Sequence, residues 1–308
     1  MRASQRGIFF YNYSMENELS KSTGLSAHRQ HPRHFQGREY VYPVLSRRSR
    51  GISIGVNICP DQVCNFNCLY CQVRRGQGER PAAGGVELER LERELVEVIK
   101  LLQGGELYQE EPFAVVPGHL RRLNDIALSG DGEPTAAKEF TDVCRVCARV
   151  KEGAGLKAVK LVLITNASQL HKPIVQEGLA VLDGHEGEIW AKLDAGNEAY
   201  FRFINQTEIP YSLILDNITV TAKKRPVVIQ SLFVRVDGKR VGEKEIADYA
   251  DRLGEILERG GKISLVQLHT VAREPQDMRV SALSNKELED IAEEIRGRAA
   301  VRLEIFGG

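Results

Sequence analysis

Apolar positions along the chain fall into two alternating rhythms. Short runs rich in β-branched residues read as strands at 52–58, 125–129, 160–165, 188–192, 227–233 and 263–269, because such side chains pack well on a pleated surface. Between them the apolar spacing lengthens to three and four. Leu88, Leu91, Leu95, Val98 and Leu102 share one face of a helix that starts near Val86. Similar spacing predicts helices over about 135–150, 172–182, 198–204, 243–259 and 284–296, and a last short strand is expected at 301–305. Strand followed by helix, repeated along the chain, is the pattern of a parallel sheet with helical crossovers. An open doubly wound sheet and a full or partial barrel are both compatible with it.

The first fifty residues show no clean period until Tyr40-Val-Tyr-Pro-Val-Leu45. Residues 1–39 are therefore expected to form an N-terminal extension and 40–308 a single catalytic domain, with a loop at the glycine-rich stretch 75–85. A chain of 308 residues is long enough for a sizeable core. Its 42 basic residues balance 42 acidic ones, which argues against a general polyanion binder and leaves electrostatic steering to local clusters. One such cluster holds Arg29, Arg33, Arg38, Arg47, Arg48 and Arg50 with His28, His31 and His34. It reads as a solvated or anchoring surface, with contact to RNA phosphates as the alternative. No run approaches the roughly 18 apolar residues of a membrane span. The six cysteines are too few and too clustered for a small secreted disulfide scaffold, so a reducing, cytoplasmic setting without a membrane partner is expected.

Candidate chemistry is concentrated in Cys64-Asn-Phe-Asn-Cys68-Leu-Tyr-Cys71, directly after the first strand expected from the rhythm. A structural zinc site takes four ligands, commonly as two separated pairs, and adding Cys59 would crowd four sulfurs into thirteen residues. A redox pair of Cys68 and Cys71 leaves Cys64 without a role. Three thiolates suit an iron-sulfur cube in which one iron has no protein ligand, so that a small molecule can bind there. Cys59 reads as a strand-end packing residue. Cys144 and Cys147, three apart on a helix, read as small buried apolar residues, with a second cluster as the alternative.

The spacing Cys64-x3-Cys68-x2-Cys71, with Tyr70 before the last cysteine, resembles the radical S-adenosylmethionine (SAM) superfamily. That resemblance implies a partial (β/α)6 TIM-like barrel of the α/β class, a 4Fe-4S cluster on the three cysteines, and SAM (S-adenosyl-L-methionine) chelated at the open iron. It further implies reductive cleavage to a 5′-deoxyadenosyl radical that takes hydrogen from a substrate, with electrons from a donor such as flavodoxin or ferredoxin. The stretch Leu128-Ser-Gly-Asp-Gly-Glu-Pro-Thr135 resembles the family's Gly-Gly-Glu segment, with Asp131 in place of the first glycine and with Gly132 and Glu133 matching. In the family this segment holds the methionine ammonium. On its own it reads as a turn with Glu133 near a helix N-terminus and Pro134 in the first turn.

By the same resemblance Lys192 pairs with the methionine carboxylate, Asp194 accepts from ribose hydroxyls, and the backbone near Tyr70 meets adenine. Thr165, Asn166, Ser231, Gln267 and His269 stand at strand ends, where a βα fold collects its ligands, with turn or capping roles as the alternative for Thr165 and Ser231. Residues 46–55, 129–135 and 190–196 resemble the iron-sulfur oxidoreductase branch related to the tRNA-wybutosine synthesis enzyme. That enzyme carries a second cluster on cysteines well before the triple motif, and no cysteine precedes Cys59 here. The substrate is thus unidentified, with a tRNA or other RNA base as one alternative. A cluster-bearing electron carrier or sensor that never cleaves SAM is another.

Overall fold

The computed structural model describes residues 33–73 and 85–307. Residues 1–32, most of the expected extension with Arg29, His28 and His31, lie outside these, as does 75–84 of the glycine-rich loop. The strands in chain order are β1 (Val41–Ser46), β2 (Gly51–Val56), β3 (Leu123–Leu128), β4 (Lys160–Thr165), β5 (Gly187–Lys192) and β6 (Val227–Leu232), then β7 (Val234–Val236), β8 (Lys239–Arg240), β9 (Ile263–His269), β10 (Val280–Ala282) and β11 (Leu303–Phe306). Eight of them build one sheet in the order β1-β2-β3-β4-β5-β6-β9-β11. β1 and β2 form an antiparallel hairpin, and every later pair in that sheet is parallel. The sheet curls into a half-barrel, the partial barrel expected, with β11 as one parallel strand beyond the six. β10, β7 and β8 form a small separate antiparallel sheet.

Monotonic strand order with right-handed crossovers puts the helices on one face of such a sheet. They are α1 (Leu88–Gly104), α2 (Phe140–Gly153), α3 (Pro173–Asp183), α4 (Glu198–Asn205), α5 (Tyr211–Lys224), α6 (Glu243–Glu258) and α7 (Asn285–Arg298). The two-residue alternation of strands divides the sheet's side chains. Ile126, Leu161, Leu163, Ile189, Ile229 and Leu268 join the large core shared with the helices. Ala127, Val162, Trp190 and Val228 form a separate small cluster with Ile164 and Leu265 against it, which floors the inner face. The sheet's order ends at β1 and β11. At that seam Arg50, beside the β1–β2 turn, reaches Glu304 of β11 at 3.1 Å.

α1 buries Leu91, Leu95, Val98, Ile99 and Leu102 and stops at Gly105, whose φ of 85° suits glycine. On the same buried face Glu94 accepts from the backbone N–H groups of Glu39 at 3.1 Å, Tyr40 at 2.8 Å and Val41 at 3.2 Å, so that a helix carboxylate holds the start of β1. The helix expected from residue 135 begins at Phe140 instead. Glu133 accepts from the backbone of Thr135 at 3.1 Å, and Pro134–Ala136 closes as one short turn before an extended Ala137. α5 has no counterpart in the expected elements. Its spacing Tyr211, Ile214, Ile218 and Ala222 is helical and buried, but isoleucine, valine and threonine between Ser212 and Lys224 lower its intrinsic preference. Cys144 and Cys147 of α2 are wholly buried in the main core. None of the described helices is long and apolar enough to cross a membrane.

Candidate active site

Residues 57–73 leave the C-terminal end of β2 and cross the mouth of the half-barrel. Asn57 begins the segment: its backbone N–H donates to Tyr40 at 2.7 Å, and its amide takes both sides of Asp131 in the loop after β3. Asn65 is held by Ser168 and Asn166, each at 2.7 Å, and its carbonyl accepts from Thr207 at 3.0 Å. The end of α4 provides the next anchors. The N–H groups of Asn67 and Leu69 donate to the carbonyls of Asn205 at 3.2 Å and Ile204 at 2.9 Å, groups that a helix terminus leaves without internal partners. Asn205 Nδ2 also donates to Cys68 Sγ at 3.3 Å, and Phe66 packs edge-on against Phe201 at 5.7 Å. Cys71 closes a turn onto Cys68 at 2.9 Å.

Cys64, Cys68 and Cys71 all line one cleft of about 320 Å³ on the inner face of the sheet. None of the six cysteines is in a disulfide. Among the described residues no three His, Cys, Asp or Glu side chains converge on a point fit for a single metal ion. Three thiolates from one loop are the donor set that a cluster with one open iron would take. Burial pushes the Cys68 thiol up to about 11, and binding a metal must displace its proton. Cys59 faces away from this set: it is buried, and its thiol meets the Glu133 carbonyl at 3.6 Å.

Gly132 and Glu133 line the cleft opposite the cysteine loop. A methyl on Gly132 would strike the Val63 carbonyl and Cys59, so glycine permits the close approach of the two loops. Glu133 is buried and fully engaged. One carboxylate oxygen accepts from the hydroxyls of Thr135 and Thr165, each at 2.6 Å, and the other from the Asn166 N–H at 2.6 Å. Burial raises its carboxyl's affinity for a proton, and these bonds oppose that shift. Thr165 and Asn166 therefore line the cleft while tying the end of β4 to the β3 loop and to Asn65. The turn role read for Glu133 from the sequence coexists with a place at the cleft.

Lys192, at the end of β5, also faces the cleft, with its ammonium 4.9 Å from the Tyr70 ring centre and 3.3 Å from Asp194. Asp194 stands behind it, outside the lining. It is bonded to the Tyr70 hydroxyl, to the Leu232 N–H at 2.9 Å and to Asn205 at 3.2 Å. Tyr70 is thereby fixed by its hydroxyl while its ring borders the cleft. Asn205 Oδ1 is buried and meets no donor among the described residues. His269, at the end of β9, lines the cleft as a neutral imidazole, pushed well below the usual histidine range by burial and then by Arg48 and Lys192.

Two of the strand-end residues lie elsewhere. Ser231 points to the helix side, where its hydroxyl is 2.6 Å from that of Tyr249. Gln267 accepts from Gln230 at 3.1 Å and faces a second cavity of about 590 Å³ nearer the start of the strands. The described members of the arginine cluster divide between the surface and the cleft. Arg38 pairs with Glu97 at 3.0 Å and Arg50 with Glu304, whereas Arg33, Arg47 and Arg48 turn into the cleft, where Arg33 meets Asp131 at 3.3 Å. Asn57, Asn205 and Arg273 belong to this site without a local motif to announce them, because their partners are brought close only by the fold.

No family model matches the sequence. Two relatives are a "GTPase Obg" of Brachyspira hyodysenteriae, 24% identical, and a "UPF0026 protein" of Helicobacter pylori, 28% identical. The matches cover 85% and 80% of this chain, but only 34% of the first relative and 70% of the second. The chain spans about a third of the first relative's length, so that relative's name is not carried over to it. Among solved structures, a radical SAM methyltransferase from Sphaerobacter thermophilus aligns at a TM-score of 0.59 and 14% identity, covering 86% of this chain and 68% of that one. SuiB of Streptococcus suis bound to S-adenosylmethionine aligns at 0.56 and 12% identity, covering 97% and 61%. TYW1 with a lysine-pyruvate adduct aligns at 0.51 and 16% identity, covering 82% and 75%. The resemblance to radical SAM enzymes read from the sequence thus extends to the fold.

Proposed function

We propose that this chain is a radical SAM enzyme, with a 4Fe-4S cluster held by Cys64, Cys68 and Cys71 and SAM bound across the inner face of the half-barrel. The observation that carries the reading is the meeting of three thiols from one loop with Gly132, Glu133, Lys192 and Tyr70 in a single cleft at the C-terminal ends of parallel strands. Such a cluster would be held by Cys64, Cys68 and Cys71 and would supply the electron for reductive cleavage of SAM, the chemistry by which hydrogen would be taken from a substrate.

The chain's own groups give this chemistry its geometry. Gly132 lets the β3 loop lie against the cysteine loop, which sets the width of the cleft. Glu133, held by Thr135, Thr165 and Asn166, offers a fixed carboxylate at the wall for the methionine ammonium. Lys192 offers the opposite charge for the methionine carboxylate, and Asp194 steadies Lys192 and Tyr70 from behind. The Tyr70 ring and neutral His269 border the space left for the nucleoside. Ala127, Val162, Trp190 and Val228 give the cleft an apolar floor. Flavodoxin or ferredoxin is the class of donor such a site takes.

The test is anaerobic reconstitution with iron and sulfide, then a dithionite-driven assay for 5′-deoxyadenosine. Nucleoside release that depends on all three cysteines is the expected result. A fully loaded cluster that yields none would overturn the reading in favour of an electron carrier or sensor.

A further inference from the structure

Inside the half-barrel, positive charge exceeds what the chain's own carboxylates neutralise. Asp131 is engaged by Arg33 and Asn57, Asp125 by the hydroxyl of Ser53, and Glu133 by Thr135, Thr165 and Asn166. Arg48 and Arg273 line the same cleft, and among the described residues neither guanidinium makes a hydrogen bond or a salt bridge: Asp125 attracts Arg48 and Asp131 attracts Arg273 only from a distance, while bonded to Ser53 and to Arg33. Arg48 enters from the turn between β1 and β2, at the strand end opposite the cysteine loop, and borders both the cleft and the cavity beneath it. Its Cζ lies 5.6 Å from the ring centre of Trp190. Arg273 comes from the loop after β9, beside Gln72 of the cysteine loop, which donates to its carbonyl at 2.9 Å.

Burial, then Arg47, push the Arg48 guanidinium down to about 10 against the pull of Asp125, and burial followed by Arg33 does the same to Arg273 against the pull of Asp131. Partly desolvated cations without a directly bonded counter-charge are costly, and a ligand that brings one lowers the cost. SAM is not that ligand, since its sulfonium and ammonium outnumber its one carboxylate.

We propose that the substrate is a small molecule bearing an oxyanion, a phosphate or a carboxylate, gripped by the forked donors of Arg48 at the base of the cleft beside Trp190, with Arg273 contributing from the mouth. This rests on the enzymatic reading above for the word substrate, and on the cleft alone for the anion.

Trp190 is the single tryptophan of the chain, so its emission reports on this point. Reconstituted protein with SAM present is titrated with inorganic phosphate and, in a second arm, with acetate, at constant ionic strength against chloride. A saturable change is expected with at least one oxyanion, and the tighter arm tells phosphate from carboxylate. The apparent affinity should fall tenfold or more in Arg48→Gln and in Arg273→Gln and be partly kept in Arg48→Lys, with cluster absorbance verifying that each variant is assembled. A response to both oxyanions no different from chloride, or one unchanged in Arg48→Gln, overturns the proposal. 5′-Deoxyadenosine release without added substrate is measured on the same samples. Release without an anion response removes only the anion site; an anion response without release removes only the radical reading.

Discussion

One methyl group at Gly132 is enough to disturb the cysteine loop, because it would have to displace the Val63 backbone and Cys59 together. Gly132→Ala is expected to cost about 1–3 kcal/mol in urea unfolding, as overpacking of a tight contact does, and to lower the iron bound per chain after reconstitution. Serine at Cys64, Cys68 or Cys71 should abolish nucleoside release. Cys144→Ala, in the core of α2, should leave release intact and cost about 1 kcal/mol or less for the lost sulfur contacts, which iron analysis and thermal melting of the same samples separate. At this scale the sequence is uneven. The three cysteines and the Gly132-Glu133 pair stand out in the sequence because each set lies within one short stretch, and the fold brings both to one cleft. Asn205 and Asn57 are not, since Cys68 lies 137 positions from the first and Asp131 lies 74 from the second.

Elements are held together by carboxylates that propensity does not mark. Glu94 of α1 accepts from three backbone donors around the start of β1, and each buried donor left without a partner costs about 1–3 kcal/mol. Glu94→Leu should therefore lose about 2–4 kcal/mol by urea unfolding, with Glu94→Gln losing less because one acceptor remains. Glu245, in the first turn of α6, accepts from Gly196 and Asn197 in the loop after β5. Burial, aided by Asp248, raises its carboxyl from 4.5 to about 7. The folded chain then holds a proton that the unfolded chain releases, so this group's contribution is present below 4.5 and is lost as the pH rises through about 7. Thermal midpoints measured at about pH 5.5 and about pH 8 should fall more steeply in the native chain than in Glu245→Gln. Boundaries of β4 and β9 follow directly from their apolar runs. α5 does not, because its β-branched residues obscure a helical spacing that only burial against α4 and α6 makes decisive.

The whole molecule is a sheet that curls without closing. Parallel pairing follows from the alternating rhythm, but strand order and the choice between barrel and open sheet come from the resemblance carried by the cysteines, since periodicity says nothing about either. The seam is bridged by Arg50 and Glu304, both partly exposed, and such a pair contributes about 1 kcal/mol or less, so Arg50→Ala should barely shift a urea midpoint. Far more rests on the end of α4 and on Thr207, which fasten the cysteine loop at Asn65, Asn67 and Leu69 with hydrogen bonds supplied by polypeptide alone. Stripping iron with a chelator under anaerobic conditions should accordingly leave the far-ultraviolet circular dichroism nearly unchanged, and a collapse of that signal would show the metal to be the scaffold. A harbour whose walls are built before the ship arrives can be emptied and filled again: on the proposed reading, repair after oxygen damage would require new iron and sulfide, not a new protein.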